Sequence, residues 1–235
     1  MRHIVIGMGE VGKAIYDVFR EHYETQSLDM KEPDYERRLE YATRSPEYEM
    51  MHVCFPYFDG FENSVDAYQG ILKPKYTVIH STVPVGTSRK CKATHSPIEG
   101  IHPFLKESVL TFEKYLGGEQ ANEIADIFRK ANLRVFTTGK QETTELLKIM
   151  STTYFGLCVE FTKEVKRKCD EMGLPFEMWK LWNDNYNQSY VKLGHPEYAR
   201  PNLVPIMGKI GGHCVIPNLE FLASDFTDLI RRRNG

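Results

Sequence analysis

A glycine-rich turn near the N-terminus constrains this chain more than any other feature of its sequence. An apolar run typical of a buried β-strand, His3–Ile6, leads directly into six residues with glycine at the first, third and sixth positions, namely Gly7, Met8, Gly9, Glu10, Val11 and Gly12. A helical pattern from Val11 to Tyr23 follows. In this context the first glycine permits a tight turn, the second lets the backbone approach a pyrophosphate, and the third lets the helix pack on the strand. We predict that these six residues bind a dinucleotide, with its phosphates at the helix N-terminus.

An acidic residue follows the glycine turn at the distance expected for a ribose-binding carboxylate. Asp29 lies about 17 residues after Gly12, at the end of a second strand-like run, Gln26–Asp29. A carboxylate at this position would bind the adenosine ribose hydroxyls and repel a 2′-phosphate. The pattern therefore favours NAD over NADP as the cofactor, and the alternative is a glycine turn without a ligand.

Strand-like and helix-like runs alternate through about the first 140 residues, after which only helical patterns follow. Further apolar β-type runs lie at residues 50–55, 76–80 and 133–136. From Thr143 to Glu171 apolar residues recur at helical spacing without a proline, and the last predicted helix covers Leu219–Arg233. We predict an α/β fold with a Rossmann-type parallel-sheet domain over residues 1–140, followed by a smaller all-helical domain over residues 141–235.

The composition argues against several other classes of protein. The net charge is −2 and 26% of the residues are charged, so we predict no nucleic-acid partner. The sequence has no apolar window as long as a membrane span, and its five cysteines lack zinc-ligand spacing. We therefore predict neither a membrane association nor a metal site. The first strand is not preceded by a signal-peptide pattern, so a cytoplasmic location is expected.

Three later segments form a further pattern. Residues 80–87 read His-Ser-Thr-Val-Pro-Val-Gly-Thr, residues 144–148 read Thr-Glu-Leu-Leu-Lys, and residues 211–217 read Gly-Gly-His-Cys-Val-Ile-Pro. In order and spacing they resemble segments of the nucleotide-sugar 6-dehydrogenases, the family that includes UDP-glucose and UDP-N-acetylmannosamine dehydrogenases. The Gly-Gly-His-Cys segment is the most specific of the three. The resemblance covers nearly all of this chain, but only the first two of the family's three domains.

The resemblance implies an oxidoreductase that uses two NAD molecules to convert a sugar primary alcohol into a carboxylate. It implies that Cys214 attacks an aldehyde intermediate and that Lys148 stabilises negative charge on the reacting oxygen. Thr82 would contact the nicotinamide region and help to hold a water molecule. Glu107, in a segment similar to the family's Phe-Leu-Arg-Glu, would act as general base on the hydrolytic water. Pro56, which ends the third strand-like run, is placed with the cofactor-binding residues.

The sequence departs from the family pattern at two site positions. Thr152 stands where the family has an asparagine that also binds the oxyanion, and its hydroxyl can still donate one hydrogen bond. Asn218 stands where the family has an aspartate, which changes the charge around Lys148 and Cys214. We also expect the family's UDP-binding third domain to be absent. The binding energy that contacts with the uridine moiety supply would then be missing.

Two other interpretations stay open at the level of sequence. A two-domain β-hydroxyacid-type dehydrogenase also uses a lysine on the first long helix, but it needs no cysteine. A non-catalytic NAD-binding remnant would bind the cofactor without oxidising an alcohol. For either kind of dehydrogenase we predict a small-molecule substrate. For the nucleotide-sugar dehydrogenase type this substrate is a nucleotide sugar. The Met, Phe and Tyr content of the helix from Thr143 also predicts a homodimer, because one small helical domain does not easily bury those side chains.

Overall fold

The computed structural model describes residues 1–44, 47–212 and 214–234. Within these ranges one sheet contains seven strands, namely β1 (Arg2–Ile6), β2 (Glu24–Leu28), β3 (Met50–Val53), β4 (Tyr76–Ile79), β5 (Thr94–His95), β6 (Lys114–Gly117) and β7 (Val135–Thr138). Their order across the sheet is β2-β1-β3-β4-β5-β6-β7. Because β2 lies on one side of β1 and β3 on the other, the strand order reverses at β1. Open α/β sheets bind their ligands at such a switch point.

Helices connect these strands and follow them. They are α1 (Glu10–Phe19), α2 (Tyr35–Thr43), α3 (Phe61–Leu72), α4 (Thr87–Lys90), α5 (Leu105–Thr111), α6 (Ala121–Lys130), α7 (Gln141–Met172), α8 (Glu177–Lys192) and α9 (Asp225–Asn234). Short 3-10 helices cover Pro196–Tyr198 and Pro217–Phe221. Helix α1 forms because Ile15, Val18 and Phe19 recur at helical spacing, and all three are buried.

Parallel pairing brings the carboxyl ends of four neighbouring strands into one row. Ile6 of β1 is in register with Leu28 of β2 and with Val53 of β3, and Val53 is in register with Ile79 of β4. The loops that follow these strands therefore begin side by side at one edge of the sheet. The pairing of β5 with β6 is antiparallel, whereas the other pairs are parallel. The predicted sheet is confirmed as a mostly parallel one.

Two buried clusters lie on opposite faces of the sheet, because successive strand residues point to opposite sides. Val5 of β1 belongs to the cluster that contains Ile15 of α1. Its neighbours Ile4 and Ile6 belong to the cluster that contains Phe61 of α3. Strands buried on both faces read as continuous apolar runs, which explains why the sequence shows runs instead of alternation.

The chain divides into two compact units, one covering Met1–Lys148 and a second that begins at Ile149. In its described residues the second unit is helical, with a small buried cluster that includes Val159, Val215 and Ile230. The predicted fold class, a sheet domain followed by a helical part, is confirmed. Within the described ranges no helix is long and apolar enough to cross a membrane.

The C-terminal helix begins later than the sequence pattern predicts. The prediction of one helix over Leu219–Arg233 is wrong, because a 3-10 helix precedes α9, which starts at Asp225. Ser224 Oγ accepts the backbone N–H of Thr227 at 3.2 Å, and Thr227 Oγ1 accepts the backbone N–H of Ser224 at 3.0 Å. This reciprocal cap satisfies N–H groups at the start of α9 and so begins a new helix.

Other element bounds shift by a few residues. Helix α1 ends at Phe19, before the predicted Tyr23, and β7 starts at Val135, after the predicted Leu133. The shorter elements α2, α3, α5 and β6 lie where the sequence predicts no element, because short segments carry weak periodicity.

Candidate functional site

The glycine turn joins β1 to α1, as predicted, and two of its glycines are required by the protein itself. Gly7 has a φ of 91°, and a Cβ there would lie 2.8 Å from the backbone nitrogen of Phe55. A Cβ at Gly12 would lie 1.8 Å from the carbonyl oxygen of Gly7. A side chain at either position would therefore displace the backbone.

Gly9, the N-cap of α1, is different. Its φ of −65° and ψ of −170° are open to any residue, and apart from its neighbours along the chain none of the described heavy atoms lies within 4 Å of a Cβ built there. The backbone is therefore bare towards open space at the N-terminus of α1, where unpaired N–H groups and the helix dipole attract an anion. These residues fit a dinucleotide, because a pyrophosphate needs this close approach to the backbone.

Asp29 follows β2 and contacts the glycine turn. Its Oδ2 accepts the backbone N–H of Met8 at 2.6 Å, and its Oδ1 accepts the backbone N–H of Lys31 at 2.9 Å. The side chain is half-buried. A carboxylate has about four acceptor positions, so two remain for ribose hydroxyls. The structure thus brings the predicted ribose ligand and the predicted pyrophosphate loop together.

Two further residues of the turn lie at the start of α1. Glu10 is exposed, and its Oε2 lies 2.7 Å from Nδ1 of His102. Val11 is half-buried and packs against the core cluster on its face of the sheet. Their contacts with a cofactor stay a prediction.

The loops after β3 and β4 carry Pro56 and Thr82. Pro56 is exposed and Thr82 is half-buried. The hydroxyl of Ser81 donates to the carbonyl oxygen of Phe55 at 2.5 Å, which ties the two loops to each other. Because the ends of β1, β3 and β4 are in register, both loops begin on the same edge of the sheet as the glycine turn.

Lys148 lies on α7, and its side chain is only 17% exposed. Its Nζ donates to the carbonyl oxygen of Ile98 at 2.7 Å and lies 3.4 Å from Oε1 of Glu99. Both partners belong to the segment that follows β5. This segment therefore holds the ammonium group in one position.

A second lysine, which sequence reasoning missed, supports the same segment. Lys114 is fully buried at the start of β6 and donates to the carbonyl oxygens of Ser96 at 3.1 Å and of Pro97 at 2.5 Å. Burial, with the charge of Lys148 adding to it, lowers the pKa of Lys114 to about 7. The sequence gives little signal for it, because the four residues of β6 are too few to show a strand pattern.

The remaining predicted residues are placed as follows. Glu107 is exposed in the first turn of α5. In the second unit Cys214 is exposed, and the Asn218 side chain donates to its carbonyl oxygen at 2.6 Å, so the structure brings these two residues together. Thr152 is half-buried on α7, and His213 lies outside the described residues. The catalytic roles of these residues stay predictions.

The start of α7 contains residues that sequence reasoning did not single out. Glu145 is fully buried, and its two carboxylate oxygens accept the backbone N–H groups of Gly86 and Ser88. The signal lay within the segment Thr-Glu-Leu-Leu-Lys, in which only the lysine carried a predicted role. Among the residues that the structure describes, no group of His, Cys, Asp or Glu side chains is arranged to hold a metal ion.

Comparison with known proteins finds similarity to dehydrogenases. No protein-family model matches the chain. Over 152 residues, which are 59% of this chain and 32% of the relative, it is 25% identical to UDP-N-acetyl-D-mannosamine dehydrogenase of Methanococcus maripaludis. The chain is similar to nucleotide-sugar dehydrogenases. The aligned part spans only about a third of that curated relative's length, so what the whole enzyme does is a proposal for this chain.

Solved structures establish the fold. UDP-D-ManNAc dehydrogenase of Pyrococcus horikoshii matches with a TM-score of 0.73 at 17% identity, over 100% of this chain and 68% of that one. The 3-hydroxyisobutyrate dehydrogenase of Mycobacterium tuberculosis matches with a TM-score of 0.70 at 12% identity, over 98% of this chain and 91% of that one. Both kinds of dehydrogenase considered from the sequence therefore share this fold.

Proposed function

We propose that this chain is an NAD-dependent oxidoreductase acting on a CH–OH group, of the nucleotide-sugar dehydrogenase type. One observation carries the proposal: neither the backbone conformation nor the packing at Gly9 requires a glycine, yet a glycine stands there at the N-terminus of α1. A pyrophosphate lying against the backbone is a physical reason to exclude a Cβ. Asp29, after the neighbouring strand β2, supports NAD over NADP because its charge repels a 2′-phosphate.

Two glycine variants separate cofactor binding from folding. We expect Gly9→Ala to keep the wild-type melting temperature and to lose NAD affinity by about tenfold or more, which is about 1.4 kcal/mol. We expect Gly12→Ala, with its Cβ 1.8 Å from the carbonyl oxygen of Gly7, to lower the melting temperature itself. Calorimetric titration with NAD and thermal unfolding measure the two effects. Unchanged NAD affinity in Gly9→Ala would remove the main support for the proposal.

The proposed chemistry begins with oxidation of the alcohol. NAD, when bound, supplies the hydride acceptor. The segment after β5 holds the ammonium group of Lys148 through Ile98 and Glu99, and we assign to its positive charge the role of stabilising negative charge on the reacting oxygen. Thr152, one helical turn later on α7, adds a hydroxyl donor. Thr82 is the proposed contact for the nicotinamide.

Oxidation to the carboxylate needs a nucleophile. We assign this role to the thiolate of Cys214, which adds to the aldehyde carbon. A second NAD would accept the hydride of this second oxidation, and water would then release the carboxylate from the thioester on Cys214. Glu107 is the proposed base that takes a proton from this water. The exposure of Cys214 supports the role, because a substrate must reach the thiol. The proposed substrate class is nucleotide sugars, by similarity to the relatives.

A β-hydroxyacid-type dehydrogenase is the second candidate. The position of Lys148 on the long helix α7 supports it, and the chain shares its fold with the mycobacterial 3-hydroxyisobutyrate dehydrogenase. Its single oxidation step would use Lys148 and no cysteine. A chain that binds NAD without oxidising any alcohol is the remaining alternative.

The variant Cys214→Ser discriminates between these candidates. NADH formation is measured with UDP-glucose, UDP-N-acetyl sugars and simple hydroxy acids. We expect wild-type turnover with a nucleotide sugar and at least about a hundredfold loss in Cys214→Ser, since the nucleophile of the second step is gone. Cys169→Ser, another cysteine variant, should keep wild-type turnover. Full turnover by Cys214→Ser would favour the hydroxyacid candidate, and NAD binding without turnover on the whole panel would favour the non-catalytic one.

Three further predictions rest on composition and pattern. The division of labour between a cofactor domain at residues 1–140 and a helical catalytic domain at residues 141–235 is a proposal. So are the cytoplasmic location and the absence of a nucleic-acid partner.

A further inference from the structure

The first turns of α7 bond to three separate segments at the carboxyl edge of the sheet. Thr144 Oγ1 lies 2.8 Å from Nδ1 of His95, whose Nε2 lies 3.1 Å from the carbonyl oxygen of Ser81. Glu145 accepts from the loop after β4, and Lys148 donates to the segment after β5. One short stretch of helix therefore sets the positions of these segments relative to one another.

Glu145 connects α7 to the loop after β4 through both of its carboxylate oxygens. Its Oε2 accepts the N–H of Gly86 at 2.6 Å, and its Oε1 accepts the N–H of Ser88 at 2.8 Å. Its side chain is fully buried. A buried carboxylate is costly unless it is hydrogen-bonded, and hydrogen bonds to an ionised group are about twice as strong as neutral ones. The loop at residues 82–88 is therefore held by a charge-assisted pair of bonds from a residue more than fifty positions away in sequence.

The direction of a bound dinucleotide follows from the strand order. Asp29, after β2, marks the adenosine side of the switch point at β1. The nicotinamide end of a dinucleotide bound in this direction would lie on the other side of β1, over β3 and β4, and the loop at residues 82–88 begins there. His95 holds the residue that precedes this loop, because its Nε2–H donates to the carbonyl oxygen of Ser81 when Thr144 donates to its Nδ1.

We propose that Glu145 is a positioning residue for the nicotinamide half of the cofactor site, acting through the backbone of the loop at residues 82–88. The inference rests on the proposed NAD site. Through its place on α7, one turn before Lys148, it also sets the distance between that loop and the ammonium group. A residue with only a stabilising role would affect both halves of the cofactor site alike.

The test compares two ligands that differ by the nicotinamide ring. NAD carries the ring and ADP-ribose lacks it, while both carry adenosine and pyrophosphate. The Glu145→Gln variant keeps the side-chain length but loses the charge and one of the two acceptor oxygens. We expect its NAD affinity to fall by about tenfold, the loss expected of one charge-assisted hydrogen bond, and its ADP-ribose affinity to stay within about twofold of wild type.

The control variant is Glu142→Gln, which lies one turn earlier on α7. Its carboxylate lies 2.7 Å from the guanidinium of Arg89, a side-chain partner, so neither affinity should change. Amide exchange at Gly86 and Ser88 gives a readout independent of any ligand, and it should speed up in Glu145→Gln only.

Each outcome decides one point. If wild-type protein binds neither NAD nor ADP-ribose, the proposed function fails. If wild type binds both and Glu145→Gln changes neither affinity, the role of Glu145 is overturned while the cofactor site stands. Equal losses of both affinities would also overturn it, because they are the result of a general loss of structure.

Discussion

Three buried histidines lie in a row across the sheet. His3 Nδ1 lies 3.1 Å from His52 Nε2, and His52 Nδ1 lies 3.0 Å from His80 Nε2. His80 Nδ1 faces the carbonyl oxygen of Ser96 at 2.9 Å, so it must carry a proton. The other tautomers follow from this one: His52 donates from Nδ1 to His80, and His3 donates from Nδ1 to His52. Three neutral rings thus make every contact along the row, and among the described residues Nε2 of the terminal ring, His3, is buried without a hydrogen-bond partner.

Burial keeps these rings neutral. It lowers the pKa of His3 to about 3, and those of His52 and His80 well below their ordinary value. The unfolded chain takes up these protons near pH 6.5, while the native protein does not. Protons bound only by the unfolded state favour unfolding, so stability is full above pH 6.5 and falls as the pH falls below it.

Replacing one ring should weaken this pH dependence. For His52→Gln we expect the free energy of unfolding to fall less steeply from pH 6 to pH 4, by about 1.4 kcal/mol per pH unit for one proton. Urea unfolding at several pH values measures the slope. His22→Gln, a change of an exposed histidine, should leave the wild-type slope. Parallel curves for wild type and His52→Gln would contradict the neutral row.

Some residues of the candidate site can be predicted from the sequence and others cannot. The glycine turn and Asp29 are predictable because a strand, a turn and a helix adjacent in sequence carry a local pattern. Glu145 and the histidine row are not, because their partners come from other strands and loops. Their traces in the sequence are a histidine within the apolar run at residues 50–55 and a glutamate within the segment Thr-Glu-Leu-Leu-Lys.

Two helical glycines show how an element depends on what it packs against. Gly156 is buried in α7, and a Cβ there would lie 2.8 Å from Cγ1 of Val215 and 3.1 Å from Cδ1 of Ile230. Gly70 is exposed in α3, and apart from its chain neighbours and the backbone of α3 none of the described atoms lies within 4 Å of such a Cβ. Gly156 permits close packing within the second unit, whereas Gly70 has no packing role.

Alanine at these two positions should have opposite effects. In Gly70→Ala we expect the free energy of unfolding to rise by about 0.5–1 kcal/mol, because alanine restricts the unfolded chain and favours a helix. In Gly156→Ala the same gain is outweighed by overpacking of about 1–3 kcal/mol, so stability should fall. Chemical denaturation compares them. A stabilised Gly156→Ala would mean that Val215 and Ile230 move aside freely.

The helices and strands also differ in how well the sequence predicts them. The long helix α7 is predictable, since its apolar residues recur over many turns, and α1 is predictable from the turn that starts it. The break before α9 is not predictable, because the apolar residues of the 3-10 helix and of α9 together read as the pattern of one continuous helix. The antiparallel pair β5–β6 has too few residues to carry any pattern.

At the scale of the whole molecule, the second unit leaves large apolar side chains exposed. Those on α7 and α8 include Tyr154, Phe161, Met178, Leu181 and Trp182. Exposed apolar side chains of this size are often covered by another protein, and two-fold homodimers are the commonest such assembly. They support the homodimer predicted from the sequence.

The mass in solution tests the homodimer. We expect light scattering at micromolar concentration to give twice the mass of one chain, and Trp182→Glu to give a monomer, because a buried unpaired charge is costly at an interface. Ile71→Glu, which changes an exposed apolar residue on α3, should keep the dimer. A monomeric wild type would contradict the prediction.

The sequence alone determined whatever depends on neighbours along the chain, such as the glycine turn between β1 and α1 and the passage from alternating elements to helices. Only the tertiary structure decided which distant groups meet. It carried Glu145 to the loop after β4, aligned three histidines across strands, and left Gly9 facing open space. The physical reason is range: backbone conformation follows local sterics and periodicity, whereas buried polar partners are chosen by the need to satisfy every desolvated donor and acceptor.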